Sequence, residues 1–136
     1  MNLDEIISIT SRQGLFKIIS KTRYGFIAQS LLDHKKISTS INDQVSNLID
    51  IKIFGISEEK SLNEIFKIIY KYENGLQTQI KHKSSKEDLM NYFSTIYNNY
   101  DCERLYSNDV RKIIQWYNLL LDKGVFSSFS LQNDNK

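Results

Sequence analysis

The chain has 136 residues, 40% hydrophobic and 25% charged, which is typical of a globular protein and excludes disordered and fibrous classes. Its formal net charge of +2 gives no strong expectation of binding to nucleic acid or an anionic membrane. No apolar run approaches the roughly 18 to 20 residues that span a bilayer, and the acidic start at 2–5 is unlike a secretion signal. A single cysteine, Cys102, excludes an internal disulfide and a cysteine-rich zinc site. We therefore expect a reduced, cytoplasmic protein with no membrane contact.

The first third of the chain alternates apolar and polar residues with the period of β-strands. Phe16 and Ile18 fall on one face, with Lys17 and Lys21 on the opposite face, and Gly25 is expected to give the next turn a positive φ. Strands are predicted at 15–21, 26–32, 35–41 and 51–54, with a helical turn at 44–49, while 2–9 fit either a helix or a strand. This order outlines a small SH3-like antiparallel β-barrel over residues 1–56.

The remainder reads as three helices, predicted to form a helical subdomain over residues 57–126. The first begins at the capping box Ser61–Glu64 and stops at Asn74-Gly75. A second capping box is predicted at 84–87, and Ser107 is expected to cap the third helix, which Gly124 ends. A polar connector over 77–83 and a flexible tail over 127–136 complete the chain. Strands followed by helices indicate an α+β fold.

Several stretches resemble a family of short Bacteroidota proteins known only as domains of unknown function. The similar stretches are 1–10, 14–18, 25–27, 30–33, 83–89, 99–106 and 114–120. The last of these, with Trp116 to Leu120, is the most specific, and together they span about residues 1–125. The resemblance implies a barrel-like part followed by a helical part in a bacterial cytoplasmic protein. It implies no activity and no site residues.

No constellation for catalysis is visible, so we expect a non-enzyme without cofactor or metal. His34 and His82 have no second ligand at metal-binding spacing and are expected to be solvated. Cys102 stands between two carboxylates, which disfavour a thiolate, and is expected to be a partly buried loop residue.

Two surfaces are candidates for binding. A basic barrel face would suit the phosphates and bases of a nucleic acid, although lysine is also an ordinary outer-face residue. Its members are Lys17, Lys21, Arg23, Tyr24, Lys35 and Lys36. The second candidate is an aromatic protein interface whose residues equally suit internal packing, Tyr92, Tyr106 and Trp116. We expect a protein-interaction or adaptor module, with a nucleic-acid- or ribosome-associated protein as the alternative.

Overall fold

The computed structural model describes residues 3–10 and 12–126, and the predicted tail at 127–136 lies outside them. The fold is α+β, as predicted, with an antiparallel five-stranded sheet followed by three helices. The chain divides into two compact units, Met1–Ile51 and Lys52–Lys136. These bounds place residues 52–54 of the strand predicted at 51–54 in the second unit.

The first unit is an antiparallel sheet in the order β4-β3-β2-β1-β5. Its strands are β1 (Ile6–Ile9), β2 (Phe16–Lys21), β3 (Phe26–Ser30), β4 (Lys36–Ser38) and β5 (Val45–Asn47). Short 3-10 helices occupy Leu3–Glu5 and Leu48–Asp50. The sequence left both helix and strand open for residues 2–9, and the described part of this stretch, 3–9, is a helical turn followed by a strand.

One face of this sheet forms the core of the first unit. Ile7, Ile9, Phe16 and Ala28 are buried together, and partly buried apolar residues of β2, β4 and β5 pack against them. The pairing leaves β4 and β5 as opposite edges, so the sheet is open and the SH3-like barrel is not confirmed. The strand expected to complete the barrel, predicted at 51–54, pairs instead with residues 59–61.

The second unit combines a β-hairpin with the three helices. Its elements are β6 (Lys52–Phe54), β7 (Glu59–Ser61), α1 (Leu62–Tyr72), α2 (Lys86–Ile96) and α3 (Ser107–Asp122). A tight turn joins β6 to β7, with the Gly55 amide donating to the Glu58 carbonyl at 2.7 Å. The apolar stripes of the helices are buried, and Phe66, Tyr117 and Phe126 meet at ring-centroid distances of 5.3 to 6.3 Å.

Two of the three predicted helix starts are corrected. The Ser61–Glu64 capping box is confirmed. In α2 the cap is Ser85, whose hydroxyl accepts from the Asp88 amide, so the cap lies one residue later than expected. Ser107 is the first residue of α3, and Asp109 instead reaches back to accept from the Tyr106 amide.

The turns of the first unit also differ from expectation. Gly25 lacks a positive φ; a side chain there would place Cβ 2.5 Å from both the carbonyl oxygen and the hydroxyl of Thr39. Close approach, rather than a left-handed backbone, therefore requires glycine. In the next turn it is His34 that adopts φ 64°, a conformation that an L side chain disfavours.

Candidate interaction surfaces

The predicted basic face is divided by an extra residue in β2. Ile18 pairs with Ala28 but Ser20 pairs with Ile27, so a bulge interrupts the alternation of side chains. Lys17 lies opposite Gln29, whereas Lys21 lies opposite Phe26, two residues from the core residue Ala28. Lys17 and Lys21 therefore lie on opposite faces of the sheet, contrary to the prediction from strict alternation.

The basic residues are also separated along the strands. Arg23 and Tyr24 lie in the turn before β3, whereas Lys35 and Lys36 follow the turn after it. A five-residue strand spans about 16 Å, so these form two separate groups. Lys36 joins Lys17 in one cross-strand row, on either side of Gln29.

The turn before β3 displays a cation beside an aromatic ring. The Arg23 guanidinium lies 5.4 Å from the centroid of the Tyr24 ring, which is 63% exposed. The turn after β3 is less cationic, because it includes Asp33. The Lys35 amide donates to the Asp33 carboxylate and keeps the pKa of that carboxyl below its usual value.

The three predicted interface aromatics do not form one surface. Tyr106 is exposed and its hydroxyl donates to the Glu103 carbonyl before α3. Trp116 is half-buried and lies ten residues further along the chain, about 15 Å along a helix axis. Tyr92 is half-buried on α2, where its ring meets a residue absent from the predicted set, Tyr72.

We call three side chains the aromatic patch: Tyr72 at the end of α1, the half-buried Tyr92 on α2, and the exposed Leu76, which follows Tyr72 by four residues. The Tyr72 and Tyr92 rings pack edge to face with their centroids 5.8 Å apart. Tyr72 is 51% exposed and Leu76 is 67% exposed. The patch therefore offers apolar and aromatic area to solvent.

A buried carboxylate lies beside this patch. Glu73, the residue after α1, is only 5% exposed, and its Oε2 accepts from the Tyr92 hydroxyl at 2.6 Å and from the Gln79 amide at 3.3 Å. Burial, together with the hydrogen bond to this carboxylate, raises the pKa of Tyr92. Burial likewise raises the pKa of Tyr117, and the charge of Glu73 adds to the effect.

The connector after α1 is fastened to α3 by polar side chains. The Tyr117 hydroxyl donates to the Leu76 carbonyl, and Asn118 accepts from the Thr78 amide while donating to its hydroxyl. Further along, the Arg111 guanidinium donates to the carbonyl of His82 at 2.6 Å. Tyr117 and Asn118, which belong to the stretch that most specifically resembles the family, thus hold the loop that carries Leu76.

Another tyrosine, Tyr97, lies beneath the β6–β7 turn with its phenol buried. The Tyr97 hydroxyl is enclosed and, within the described residues, is the one fully buried side-chain polar atom without a hydrogen-bond partner. Burial raises its pKa, and the carboxylates of Glu58 and Glu64 add to this. The Lys60 ammonium lies 5.8 Å from the centroid of its ring.

The remaining reactive side chains stay apart. Cys102 is exposed, not partly buried as predicted; His34 is exposed and His82 half-buried. Across residues 3–10 and 12–126, nowhere do three or more His, Cys, Asp or Glu side chains come together as metal ligands. In that same part of the chain, none of the helices is both long and apolar enough to cross a membrane.

Comparisons with known proteins match both units. The family described as domain of unknown function (DUF6852) matches residues 51–120, and a second domain of unknown function (DUF5606) matches residues 3–48. A solution NMR structure of a structural-genomics target from Bacteroides vulgatus is 34% identical, with a TM-score of 0.76 over 90% of this chain and 88% of that one. No curated protein matches the sequence. The resemblance to short proteins of unknown function is thereby confirmed.

Proposed function

The chain belongs to the family described as domain of unknown function (DUF6852), and we propose that it is a non-catalytic protein-interaction module of the cytoplasm. The proposal treats the first unit as an SH3-like module, which its short meandering strands support even though its sheet is open. The partner is another protein, and the aromatic patch of the second unit is the binding surface.

The edge-to-face pair of the exposed Tyr72 and the half-buried Tyr92 is the observation that supports this proposal. Tyrosine is enriched among the residues that dominate protein–protein binding, since it presents a large rigid surface with a polar tip. A hydrogen bond to the Glu73 carboxylate holds the Tyr92 ring in place. The hydrogen bond from the Tyr117 hydroxyl on α3 to the Leu76 carbonyl holds the loop of Leu76 in place. A surface ordered before binding loses less conformational entropy when a partner docks.

A pull-down from bacterial lysate tests the proposal, with the full chain as bait and half of each sample treated with nuclease. We expect a stoichiometric protein that survives nuclease and is lost with Tyr72→Ala. Tyr106→Ala is the matched control, because Tyr106 is another exposed tyrosine, 63% against 51% for Tyr72, and lies outside the patch. Loss of the partner with both variants, or with neither, would contradict the assignment to the patch.

Nucleic-acid binding is a second candidate because the exposed Tyr24 ring lies beside the Arg23 guanidinium. A base stacks on such a ring while cations neutralise phosphates, and this binding weakens steeply with salt. We would measure the affinity for a fluorescent oligo-uridine at two salt concentrations, comparing Lys35→Glu/Lys36→Glu with Tyr24→Ala. Unchanged affinity in Tyr24→Ala would exclude the Arg23–Tyr24 group, and unchanged affinity in the lysine variant would exclude the Lys35–Lys36 group.

A further inference from the structure

We propose that the aromatic patch recognises a basic side chain, arginine or lysine, on the partner, with Glu73 as its counter-ion. This inference rests on the proposed function and specifies the chemistry of its ligand. Three properties of the residues around the end of α1 support it: a buried carboxylate without a cation, an oxygen of that carboxylate without a hydrogen bond, and a packed pair of tyrosines of which Tyr92 is hydrogen-bonded to it.

Glu73 is a buried acid without a cation. Among the described residues, no Lys, Arg or His nitrogen lies within ion-pair distance of its carboxylate, since the ion pairs found involve other acids. Placing a carboxylate in a buried position is unfavourable unless a charge or hydrogen bonds compensate for the lost water. Both of its hydrogen bonds, from Tyr92 and Gln79, reach Oε2.

The other oxygen of Glu73 is open. Oε1 accepts no hydrogen bond, because both donors reach Oε2. Among the described residues, the Tyr97 hydroxyl is the only side-chain polar atom that is fully buried and has no hydrogen-bond partner, so Oε1 is not fully buried. Oε1 therefore retains a narrow access to solvent at 5% residue exposure. A charged donor that reaches it would form a partly desolvated hydrogen bond, stronger than one on an open surface.

The tyrosine rings favour a cation at the same place. A guanidinium or ammonium over a tyrosine ring is attracted to its negative face. Tyr92 lies beside the carboxylate through its hydrogen bond, and the half-exposed ring of Tyr72 packs edge to face against it. An acidic or phosphorylated partner would meet repulsion from Glu73, so charge complementarity selects a basic one.

An NMR titration of the isotopically labelled full chain tests the proposal. The probes are three acetylated, amidated tripeptides, Ala-Arg-Ala, Ala-Lys-Ala and Ala-citrulline-Ala, the last being an uncharged analogue of arginine. We expect the two cationic peptides to shift the amide signals of Gln79 and Leu76. Affinity for the citrulline peptide should be about tenfold lower, which is typical of losing a charge-assisted hydrogen bond.

Glu73→Gln is the decisive variant because glutamine keeps an acceptor for Tyr92 and Gln79 while removing the charge. We expect about tenfold weaker binding of Ala-Arg-Ala, and no change with Glu64→Gln, an exposed acid at the other end of α1. If Glu73→Gln does not fold, Tyr72→Leu replaces it, with about threefold weaker binding expected from the lost ring.

Equal affinity for the arginine and citrulline peptides would overturn the proposal, as would unchanged affinity in these variants or absence of shifts at millimolar peptide. The pull-down separates this failure from failure of the proposed function. A partner lost with Tyr72→Ala but kept with Glu73→Gln would establish the interface and reject the basic side chain. A partner that is a second copy of the chain would appear as self-association of the bait.

Discussion

Gly55→Ala is expected to be strongly destabilising because the position has no room for a methyl group. An added Cβ would lie 2.6 Å from Oδ1 of Asn99 and 2.7 Å from the carbonyl oxygen of Glu58, and would also collide with the Tyr97 hydroxyl. Gly55 lacks a positive φ, so the effect is steric rather than conformational. Contact with three atoms, one of them in the backbone of the same tight turn, is expected to cost about 3 kcal/mol of the free energy of unfolding.

Urea and thermal denaturation followed by far-ultraviolet circular dichroism measure this loss, which corresponds to a fall of about 10 °C in Tm. Gly124→Ala is the matched control: its backbone has φ 74° and nothing lies within 4 Å of an added Cβ, so only the left-handed strain of about 1 kcal/mol applies. Tyr97→Phe should restore about 1 kcal/mol or more in the double variant, because it removes one of the three clashing atoms. An effect of Gly55→Ala no larger than that of Gly124→Ala, or additivity with Tyr97→Phe, would refute the steric explanation.

Three further predictions concern the turns, the buried phenols and the connector. His34→Gly should raise the free energy of unfolding, measured by urea denaturation, by about 0.5 kcal/mol. Glycine relieves the strain of φ 64° at this position, and the greater entropy of glycine in the unfolded chain offsets part of that gain. A lower free energy of unfolding would contradict this prediction. The pKa values of Tyr92 and Tyr117 are raised in the folded protein. Above pH about 10 the folded chain therefore keeps both phenol protons, whereas the unfolded chain loses them. The free energy of unfolding should then fall by about 1.4 kcal/mol per pH unit for each tyrosine. Tyr92→Phe should remove the contribution of one tyrosine to the dependence of the unfolding free energy on pH. An unchanged dependence would argue against burial of the Tyr92 phenol. Arg111→Met should accelerate amide hydrogen exchange across 79–84, because it removes the hydrogen bond to the His82 carbonyl. Exchange rates in the variant equal to those of the wild type would show that the guanidinium does not hold the connector.

The helical half was largely predictable because its signals are local. The Ser61–Glu64 capping box and the apolar spacing of α1 are adjacent in sequence and satisfied by neighbouring atoms. The strand β7 was missed, since Glu59-Lys60-Ser61 has no apolar alternation and becomes a strand only by pairing with β6. The SH3-like barrel was predicted from strand order alone, and which strands pair is decided by contacts far apart in sequence.

The candidate sites were less predictable, for two different reasons. The bulge in β2 inverts the face of Lys21, and its only trace in the sequence is the pair Ile18-Ile19, two apolar residues where alternation expects one. Glu73 did carry a signal that went unused: an acid at the end of α1 opposes the helix dipole. Local conflicts of this kind are expected at functional or strained sites.

The division of the chain at Ile51 and Lys52 determines which spectroscopic probe observes which unit. The chain has one tryptophan, Trp116, which lies in the second unit, so its fluorescence reports on the unfolding of the helical part. Tyr24 is the single tyrosine of the first unit, and the other seven lie beyond the division. A tryptophan placed at Tyr24 would therefore give the sheet its own optical signal, and two denaturation curves from one chain would measure the cooperativity between its halves.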